Sequence, residues 1–232
     1  MNLPDFYKPQ VMAIVNATPD SFYSASRTDD ADSLERRIAD VVAQGATIID
    51  IGGYSSRPGA EDVPLEEEWR RVDLAVGVAR RVAPQIAVSV DTFRSEVVRR
   101  TVEKYGRIIV NDITAGEGDE QMIATVAQLD LPYIAMHMRG TVQTMQSKTE
   151  YSDVVAEVTD YLATKAAELE QKGVRRENII LDPGFGFAKS VEQNYALLAG
   201  LSKVVELGYH VLVGLSRKSM IYKVLDTTPD NA

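Results

Sequence analysis

The chain has 232 residues, of which 45% are hydrophobic, and a formal net charge of −9. This composition is ordinary for a globular protein with one large core or two small ones, and the acidic balance argues against nucleic acid or an anionic membrane as a partner, because both bind basic surfaces. Cysteine is absent, which fits a reducing compartment. The first residues lack the pattern of a signal peptide and no apolar run reaches membrane-spanning length, so we predict a cytoplasmic protein.

Short apolar runs alternate with longer amphipathic segments from one end of the chain to the other. Most of the short runs are apolar on both faces, as strands are in a parallel sheet that helices cover. The predicted strands, in chain order, are Val11–Val15, Thr47–Ile51, Ile86–Val90, Ile108–Val110, Tyr133–Met136, Ile179–Leu181 and Val211–Leu215.

The longer segments place apolar residues three and four positions apart, which is typical of amphipathic helices. The clearest of them cover residues 34–42, 69–79 and 154–162, and a shorter helix is expected from about Lys218 to Leu225. A capping box at residues 190–193 and glycines after several of these segments are the usual signals of helix starts and ends.

Seven successive β-α units fit either an eight-fold barrel or a doubly wound open sheet. A nucleotide-binding open sheet has a glycine-rich phosphate loop after its first strand, but here that position holds Asn16-Ala-Thr-Pro-Asp20, and no such loop occurs elsewhere. We therefore predict a (β/α)8 TIM barrel that forms a single domain over residues 1–232. No eighth β-α unit follows Leu215, so the domain is expected to be incomplete at its C-terminal end, and an open sheet is the alternative.

The loop over residues 182–189 has an unusual composition for a strand-to-helix connection. Pro183 fixes one φ angle, the two glycines let backbone amides approach a ligand, and Phe185 and Phe187 offer flat apolar faces. Asp182, at the end of its strand, can accept two parallel hydrogen bonds from a planar edge that carries two donors. These features favour a flat, nitrogen-rich heterocycle as ligand, and a tight turn in which Asp182 only caps the next helix is the alternative.

Most of the predicted strands end in a polar residue, where the active sites of barrel enzymes are built. Each of these residues alone could also cap a helix or form a turn. They are Asn16, Asp50, Asp91, Asn111, His137, Asp182 and Ser216. Basic residues fall in the same loops, which indicates a phosphate-bearing, anionic substrate. The basic residues are Arg57, Lys189, Arg217 and Lys218.

Longer motifs surround the strand ends: Asn16-Ala-Thr-Pro-Asp-Ser-Phe22, Ile51-Gly-Gly-Tyr-Ser-Ser-Arg-Pro-Gly59, Ser89-Val-Asp-Thr92, Val110-Asn-Asp-Ile113, Met136-His-Met138, Asp182-Pro-Gly-Phe-Gly-Phe187 and Gly214-Leu-Ser-Arg-Lys-Ser219. Together, from about Val11 to Ala232, they resemble the dihydropteroate synthase family. The resemblance implies a pterin-binding barrel of folate biosynthesis that condenses 6-hydroxymethyl-7,8-dihydropterin pyrophosphate with p-aminobenzoate and releases pyrophosphate. It also implies that Mg²⁺ is the cofactor, that the protein is a homodimer and that sulfonamides target it.

The resemblance further implies roles for individual residues. The catalytic set, which would hydrogen-bond the pterin deep in the barrel, is Asp91, Asn111, Asp182 and Lys218. Carboxylates suit the amino and ring N–H donors of a pterin, while an amide and a lysine suit its acceptors. Asn16 would lie near Mg²⁺ and the pyrophosphate, as both a metal ligand and a substrate contact, although most of the coordination would come from the diphosphate and water.

The remaining substrate contacts implied by the resemblance lie around p-aminobenzoate, except Met136 and Lys189, which are expected to contact a substrate without a more specific assignment. The loops after the first two strands would close over it, through Asp20, Phe22, Ser56, Arg57 and Pro58. The other predicted contacts are Met136, Phe187, Lys189 and Ser219. Among these, Phe187 and Ser219 would form the floor and the carboxylate end of the pocket.

The chain also departs from the family pattern. Tyr54-Ser-Ser-Arg57 replaces the common Glu-Ser-Thr-Arg, and the first loop ends in Tyr23-Ser-Ala-Ser-Arg27 rather than in a glycine-rich sequence. No Arg-x-His motif is present, so two phosphate-site residues are absent if the protein ends at Ala232. His210, at a strand start, is expected to be structural, and His137 fits either a pocket or a structural role.

Three other functions stay open at this point. A pterin-binding methyltransferase domain shares the barrel and several strand-end residues, but does not need Ser216-Arg-Lys-Ser219 or the Ser-Arg-Pro loop. A pterin-binding module without catalysis would result from the loss of the last β-α unit. An unrelated barrel enzyme is the third.

Overall fold

A computed structural model describes residues 4–17, 27–54, 62–141, 144–228 and 231. Within these ranges seven strands form one parallel sheet: β1 (Met12–Asn16), β2 (Ile48–Gly52), β3 (Ala87–Asp91), β4 (Ile109–Asp112), β5 (Tyr133–Met136), β6 (Ile179–Asp182) and β7 (His210–Val211). Neighbours in the sheet are also neighbours in the chain, from β1 to β7. A doubly wound sheet would place its first strand in the middle, whereas a barrel has this sequential order. The predicted barrel is confirmed, with seven β-α units, and the open-sheet alternative is wrong.

Helices follow the strands as the amphipathic pattern predicted. They are α1 (Arg27–Ala43), α2 (Leu65–Val82), α3 (Ser95–Tyr105), α4 (Met122–Leu129), α5 (Val154–Gln171), α6 (Val191–Ala199), α7 (Leu201–Val205) and α8 (Ser219–Tyr222). The predicted capping box begins α6: the Ser190 hydroxyl accepts from the Gln193 backbone, and the Gln193 side chain accepts from the Ser190 backbone. None of the helices in the described ranges combines the length and the apolar character that a bilayer span needs.

The two faces of the sheet bury different sets of side chains. The outer face packs against the helices through the larger core, in which Ile49, Val88 and Val110 are fully buried. The inner face carries a second, smaller apolar cluster, made of Ile48, Ala87, Ile109, Ile134 and Ile180, with Phe6, Met12 and Leu212 packed against it. This inner cluster is the floor of the barrel.

Polar residues lie one step above this floor, because strand side chains alternate with a period of two. Asp50 comes two residues after Ile48, Asn111 two after Ile109, and Asp182 two after Ile180. In each case both side chains point to the inside. The apolar floor thus directs a ring of polar side chains toward the carboxyl end of the barrel, where sites of this architecture lie.

The last predicted strand and helix are both shorter in the structure. The strand ends at Val211 rather than Leu215, and α8 covers Ser219–Tyr222 rather than about Lys218 to Leu225. Leu212 still donates to the Leu181 carbonyl at 2.9 Å. Beyond it the neighbouring strand β6 has reached Asp182 and its loop, so regular pairing has no further partner on that side.

Candidate active site

Four residues at strand ends lie in one register row across β1 to β4. Asn16 pairs with Gly52, Gly52 with Asp91, and Asp91 with Asn111. Gly52 contributes no side chain to this row. A methyl group at Gly52 would lie 3.6 Å from Asp91 Oδ2 and 3.7 Å from Asn16 Oδ1. The glycine therefore leaves open space between two oxygen donors that come from different strands.

A cavity of about 870 Å³ occupies the inside of the curled sheet. Cavities of roughly 300–1,000 Å³ hold small-molecule ligands. The predicted site residues that line it are Asn16, Asp91, Asn111, Met136, Asp182, Phe187 and Lys218. They come from five strands and from the loops after β6 and β7, and the fold brings them to one cavity as predicted. Asp20, Phe22, Ser56, Arg57 and Pro58 lie outside the described residues.

Asp50 belongs to the same cavity, although it was not assigned to the site. It is 4% exposed, and its Oδ2 accepts a hydrogen bond of 3.0 Å from Asn111 Nδ2. Its Oδ1 is buried and has no hydrogen-bond partner among the described residues. The bond from Asn111 fixes the amide so that its second Nδ2–H, a donor, and its Oδ1, an acceptor, are left for a ligand. The strand-end position of Asp50 was the available signal, but its partner is 61 residues away.

Burial raises the pKa of each of the three carboxyls that line the cavity. The pKa of Asp91 is raised well above its ordinary value by burial and by the negative charges of Asp50 and Asp112. Burial also raises the pKa of Asp50 and of Asp182, against the opposing effect of their hydrogen bonds. A ligand that brings N–H donors to these oxygens would relieve the cost of their buried charge.

Asp182 is held in place by the loop that follows it. Its Oδ1 accepts a hydrogen bond of 2.7 Å from the Gly184 backbone N–H, and the side chain is buried against the cavity. Gly184 has a φ of +68°, and a side chain there would collide with the His137 carbonyl at 2.1 Å. Only glycine permits this close packing between the loop and the end of β5.

Lys218 and Phe187 form the cationic and aromatic part of the cavity. The Lys218 Nζ lies 4.3 Å from the centre of the Phe187 ring, at cation–π distance. Burial lowers the pKa of Lys218, and the charge of Asp182 opposes this effect. The lysine thus lies between a carboxylate and a flat apolar face.

Two predicted contacts lie elsewhere. Lys189 is 6% exposed and does not line the cavity, because its Nζ donates to the Gly184 and Phe187 carbonyls at 2.9 and 3.0 Å and lies 3.1 Å from His137 Nδ1. Ser219 is the first residue of α8, half-buried, and is also absent from the cavity lining. His210 packs against the rings of Phe6 and Tyr7 at the opposite, amino end of the barrel.

A buried ion pair lies beside the described ends of the segment after β2, and the sequence did not reveal it. Glu68 is fully buried and accepts hydrogen bonds from Arg94 Nη1 at 2.7 Å and Thr92 Oγ1 at 2.6 Å. Arg94 also donates to the Val63 carbonyl at 2.7 Å and lies over the ring of Tyr54 at 5.6 Å. Arg94 therefore contacts the described residues on both sides of the stretch that carries Ser56, Arg57 and Pro58.

The oxygen donors fit a hard divalent cation only in part. Asn16 Oδ1 and Asp91 Oδ2 both border the space above Gly52, and such oxygens suit Mg²⁺. No group of three or more acidic or histidine residues that could hold a metal occurs in the described ranges. A magnesium ion here would take most of its ligands from a phosphate group and from water, as Mg²⁺ in phosphoryl sites does.

Comparisons with known proteins agree with this geometry. The model of the family described as pterin binding enzyme matches residues 12–231. The dihydropteroate synthase of Escherichia coli (strain K12) is 41% identical over 226 residues, which are 97% of this chain and 79% of that protein.

Solved structures are similar over nearly the whole chain. The dihydropteroate synthase of Xanthomonas albilineans with 4-aminobenzoic acid has a TM-score of 0.87 at 38% identity, and the match covers 97% of this chain and 80% of that one. The enzyme from the same organism in complex with 7,8-dihydropteroate has a TM-score of 0.84 at 35% identity, covering 98% and 80%. One of these two structures therefore holds an arylamine and the other a pterin compound.

Proposed function

We infer the activity of this chain from the premise that it belongs to the pterin-binding enzyme family and, within it, to the dihydropteroate synthases. It is an enzyme of folate biosynthesis that condenses 6-hydroxymethyl-7,8-dihydropterin pyrophosphate with p-aminobenzoate to give 7,8-dihydropteroate and pyrophosphate. The observation that carries this conclusion is the convergence of Asp91, Asn111, Asp182 and Lys218 on one cavity of about 870 Å³. This convergence does not require either alternative function, a pterin-binding methyltransferase domain or an unrelated barrel enzyme.

For the pterin, we propose that the ring lies above the apolar floor with its donor edge on the carboxylates. Asp182 accepts from the 2-amino group and the neighbouring ring N–H, since its Oδ1 is already oriented by Gly184. Asn111, oriented by Asp50, and Lys218 serve the acceptors of the ring. Asp91 lies beside Asn111 in the register row and takes a further ring N–H.

The diphosphate end of the substrate faces the mouth of the barrel in this arrangement. Asn16 is the protein ligand that we propose for Mg²⁺, with the space above Gly52 available to the substrate phosphates. When bound, the cation neutralises charge on the leaving diphosphate. The assignment is tested by titrating Mg²⁺ against turnover for the wild type and Asn16→Ala, and an unchanged magnesium requirement in the variant would contradict it.

The chemistry needs no nucleophile from the protein. We propose that the C–O bond to the diphosphate breaks first, that its electron pair leaves with the diphosphate, and that the dihydropterin ring stabilises the methylene cation. The amino nitrogen of p-aminobenzoate then forms the C–N bond and loses a proton to solvent. The side chains bind and orient the substrates, with Phe187 and Met136 as apolar walls of the cavity. Ser219, which follows the cavity-lining Lys218, and Asp20, Phe22, Ser56, Arg57 and Pro58, which lie outside the described residues, stay predicted contacts.

The activity is tested by incubating the protein with both substrates and following dihydropteroate by chromatography and mass spectrometry. A reaction without p-aminobenzoate is the control. Product formation that stops in Asn111→Ala supports the assignment, since this change removes the amide that Asp50 orients. Calorimetric binding of the pterin pyrophosphate without any product would instead identify a binding module.

Sulfonamides are the inhibitors that this site should accept. A sulfonamide with a p-amino group has the same aniline ring as p-aminobenzoate and a polar group in place of the carboxylate, so it fits the same apolar walls. We propose competition with p-aminobenzoate but not with the pterin substrate. Inhibition by sulfanilamide that p-aminobenzoate does not overcome would contradict this.

For assembly and location we propose a homodimer in the cytoplasm. Val205 on α7 and Val224 and Leu225 after α8 are 53%, 59% and 63% exposed, and exposed apolar side chains of this size are stabilised when a second copy buries them. Light scattering of the wild type and of Leu225→Asp tests the dimer. The pyrophosphate ester is too highly charged to cross a bilayer unaided, so the enzyme must share a compartment with the reaction that makes it. Cell fractionation tests this location.

A further inference from the structure

Lys189 has no hydrogen-bonding capacity left for a substrate. The side chain is 6% exposed, and its Nζ contacts the Gly184 carbonyl at 2.9 Å, the Phe187 carbonyl at 3.0 Å and His137 Nδ1 at 3.1 Å. An ammonium group has three N–H donors, so these three acceptors use all of them. A lysine this deeply buried is rare unless each donor is satisfied.

The three acceptors lie on two separate segments, and the lysine ties them together. His137 follows β5, whereas Gly184 and Phe187 belong to the loop between β6 and α6. The other side of that loop is held by Asn194 of α6, whose Oδ1 accepts from the Gly186 N–H at 2.7 Å. The loop is thus fixed from both sides, and the Lys189 contacts hold it against β5.

Phe187 is the residue that these contacts place in the cavity. Its carbonyl is bound by Lys189, while its ring lines the cavity and lies 4.3 Å from Lys218 Nζ. Gly186 permits this approach, since a side chain there would meet Lys218 Cδ at 3.0 Å. A shift of the Phe187 backbone would therefore move this wall of the cavity.

We propose that Lys189 and His137 form a positioning pair that sets the Phe187 wall for the arylamine substrate, and that Lys189 does not contact substrate. This inference rests on the proposed function, because p-aminobenzoate is the substrate that meets this wall. Displacements of about 1 Å in such a wall can cost on the order of 100-fold in rate. The effect is expected on the arylamine more than on the pterin, because Asp91 of β3 and Asn111 of β4 also hold the pterin and lie outside this loop.

The pair can keep its three contacts in both protonation states of the lysine. The charged amine donates to two carbonyls and to a bare His137 Nδ1. When the pair has lost one proton to solvent, the neutral amine donates to the same two carbonyls. Its lone pair then accepts from Nδ1–H of His137, which has changed to the tautomer with a bare Nε2. Burial lowers the pKa of Lys189 to about 7 and that of His137 to about 3, so the ring stays neutral throughout. The ionisable groups around the pair are Asp182, Lys218, Arg139 and Glu157.

Lys189→Met tests the pair, because methionine keeps the chain length and removes every N–H. Lys203→Met, at an exposed position on α7, is the matched control. We expect the KM for p-aminobenzoate to rise about tenfold or more in Lys189→Met, with the Kd for the pterin pyrophosphate within about threefold of wild type. If Lys189→Met changes the KM for p-aminobenzoate and the Kd for the pterin pyrophosphate by the same factor, Lys189 is only a structural residue and the proposal is overturned. A larger loss of pterin affinity than of arylamine affinity would also overturn it, since it would place Lys189 on the substrate.

His137→Gln keeps the test valid if Lys189→Met does not fold. Its amide oxygen can still accept from the lysine, so the same selective change in KM is expected but smaller. An unaltered KM in a folded His137→Gln protein that also lacks any lysine–glutamine contact by NMR would overturn the pairing. Wild-type turnover reports separately on the proposed function, so failure of the two ideas is distinguishable.

NMR of the wild type tests the pair without any substitution. The chain has only 2 histidines, so the ring nitrogens of His137 are readily assigned against a His210→Gln spectrum. We expect a neutral ring with bare Nδ1 at pH 6 and a growing Nδ1–H population above pH 7. An imidazolium ring at pH 6 would overturn the pairing, and a single tautomer from pH 6 to pH 9 would overturn the exchange between its two states.

Discussion

Replacing Asp182 by asparagine tests the central feature of the proposed site. In the structure Oδ1 of Asp182 accepts a 2.7 Å hydrogen bond from Gly184, and the side chain is 8% exposed at the cavity. Asparagine can keep the bond to Gly184 through its own oxygen, but its NH2 group then faces the donor edge of the pterin. The charge-assisted bonds are lost, and the ring donors are left without an acceptor.

The expected loss can be worked out from these contacts. A hydrogen bond to a charged group contributes about 1.5–3 kcal/mol, and two such bonds are removed. Burial raises the pKa of Asp182, which means that the empty site already holds this charge at a cost and part of the gain is offset. We therefore expect a net loss of about 3 kcal/mol, or roughly 100-fold in the Kd for the pterin pyrophosphate.

Calorimetry at pH 8 measures this loss, since a pH well above the ordinary pKa of a carboxyl favours the ionised form. Asp153→Asn is the matched control, because Asp153 caps α5 through the Val155 and Ala156 N–H groups, and asparagine caps a helix equally well. The control should bind like the wild type. A Kd within about fivefold of wild type for Asp182→Asn, in a variant with unchanged melting temperature, would refute the proposed contact.

Three further predictions follow from the same geometry. Asp91→Asn should weaken pterin binding yet raise the melting temperature of the empty protein. The gain should be larger at pH 8 than at pH 5, because the pKa of Asp91 is raised in the folded state, so that its contribution to stability falls as the pH rises above the pKa of the unfolded state. Equal melting curves of variant and wild type at pH 8 would contradict this. Gly52→Ala should fold normally, since the added methyl meets its neighbours at 3.6 Å or more, but should lower affinity for the pyrophosphate substrate about tenfold or more by filling the space beside Asn16, as calorimetry would show. Glu68→Ala should destabilise the fold by about 3 kcal/mol, because it leaves Arg94 without its buried partner. A thermal melt should show a melting temperature lower by roughly 6–12 °C. A decrease of less than about 2 °C would be inconsistent with a buried pair.

Most of the fold follows from patterns that are local in the sequence. Six of the seven strands lie within one or two residues of their predicted bounds, because each is a short apolar run flanked by turn-forming residues. β7 differs, since its length depends on pairing with β6 rather than on its own apolar residues. The choice of a barrel also came from sequence, through the absence of a phosphate loop after β1.

The sequence predicted the location of a site residue only where its position along a strand determines where its side chain lies. Asp91, Asn111 and Asp182 could be placed together because parallel strands end at one edge of a sheet. The direction of a loop side chain follows no such rule. Lys189 reads as a cation at the mouth of the barrel, yet it turns toward His137, which lies 52 residues earlier in the chain. The Arg94–Glu68 pair is likewise set by the packing of α2 against the loop after β3.

The arrangement of charge explains how an acidic chain can select an anionic substrate. The inner end of the cavity holds carboxylates whose buried charge is costly when the site is empty, so it favours a ring with several N–H donors and disfavours one without them. The diphosphate needs positive charge instead, which a magnesium ion beside Asn16 would supply in the proposed site. The two ends of the substrate thus need opposite environments. A ligand that carries only the pterin or only the diphosphate should bind with much less than half of the free energy of the intact substrate, because the charges at the other end of the site stay unpaired. Measuring the Kd of 6-hydroxymethyl-7,8-dihydropterin and of pyrophosphate separately tests this coupling, and affinities that add up to that of the intact substrate would show that the two ends act independently.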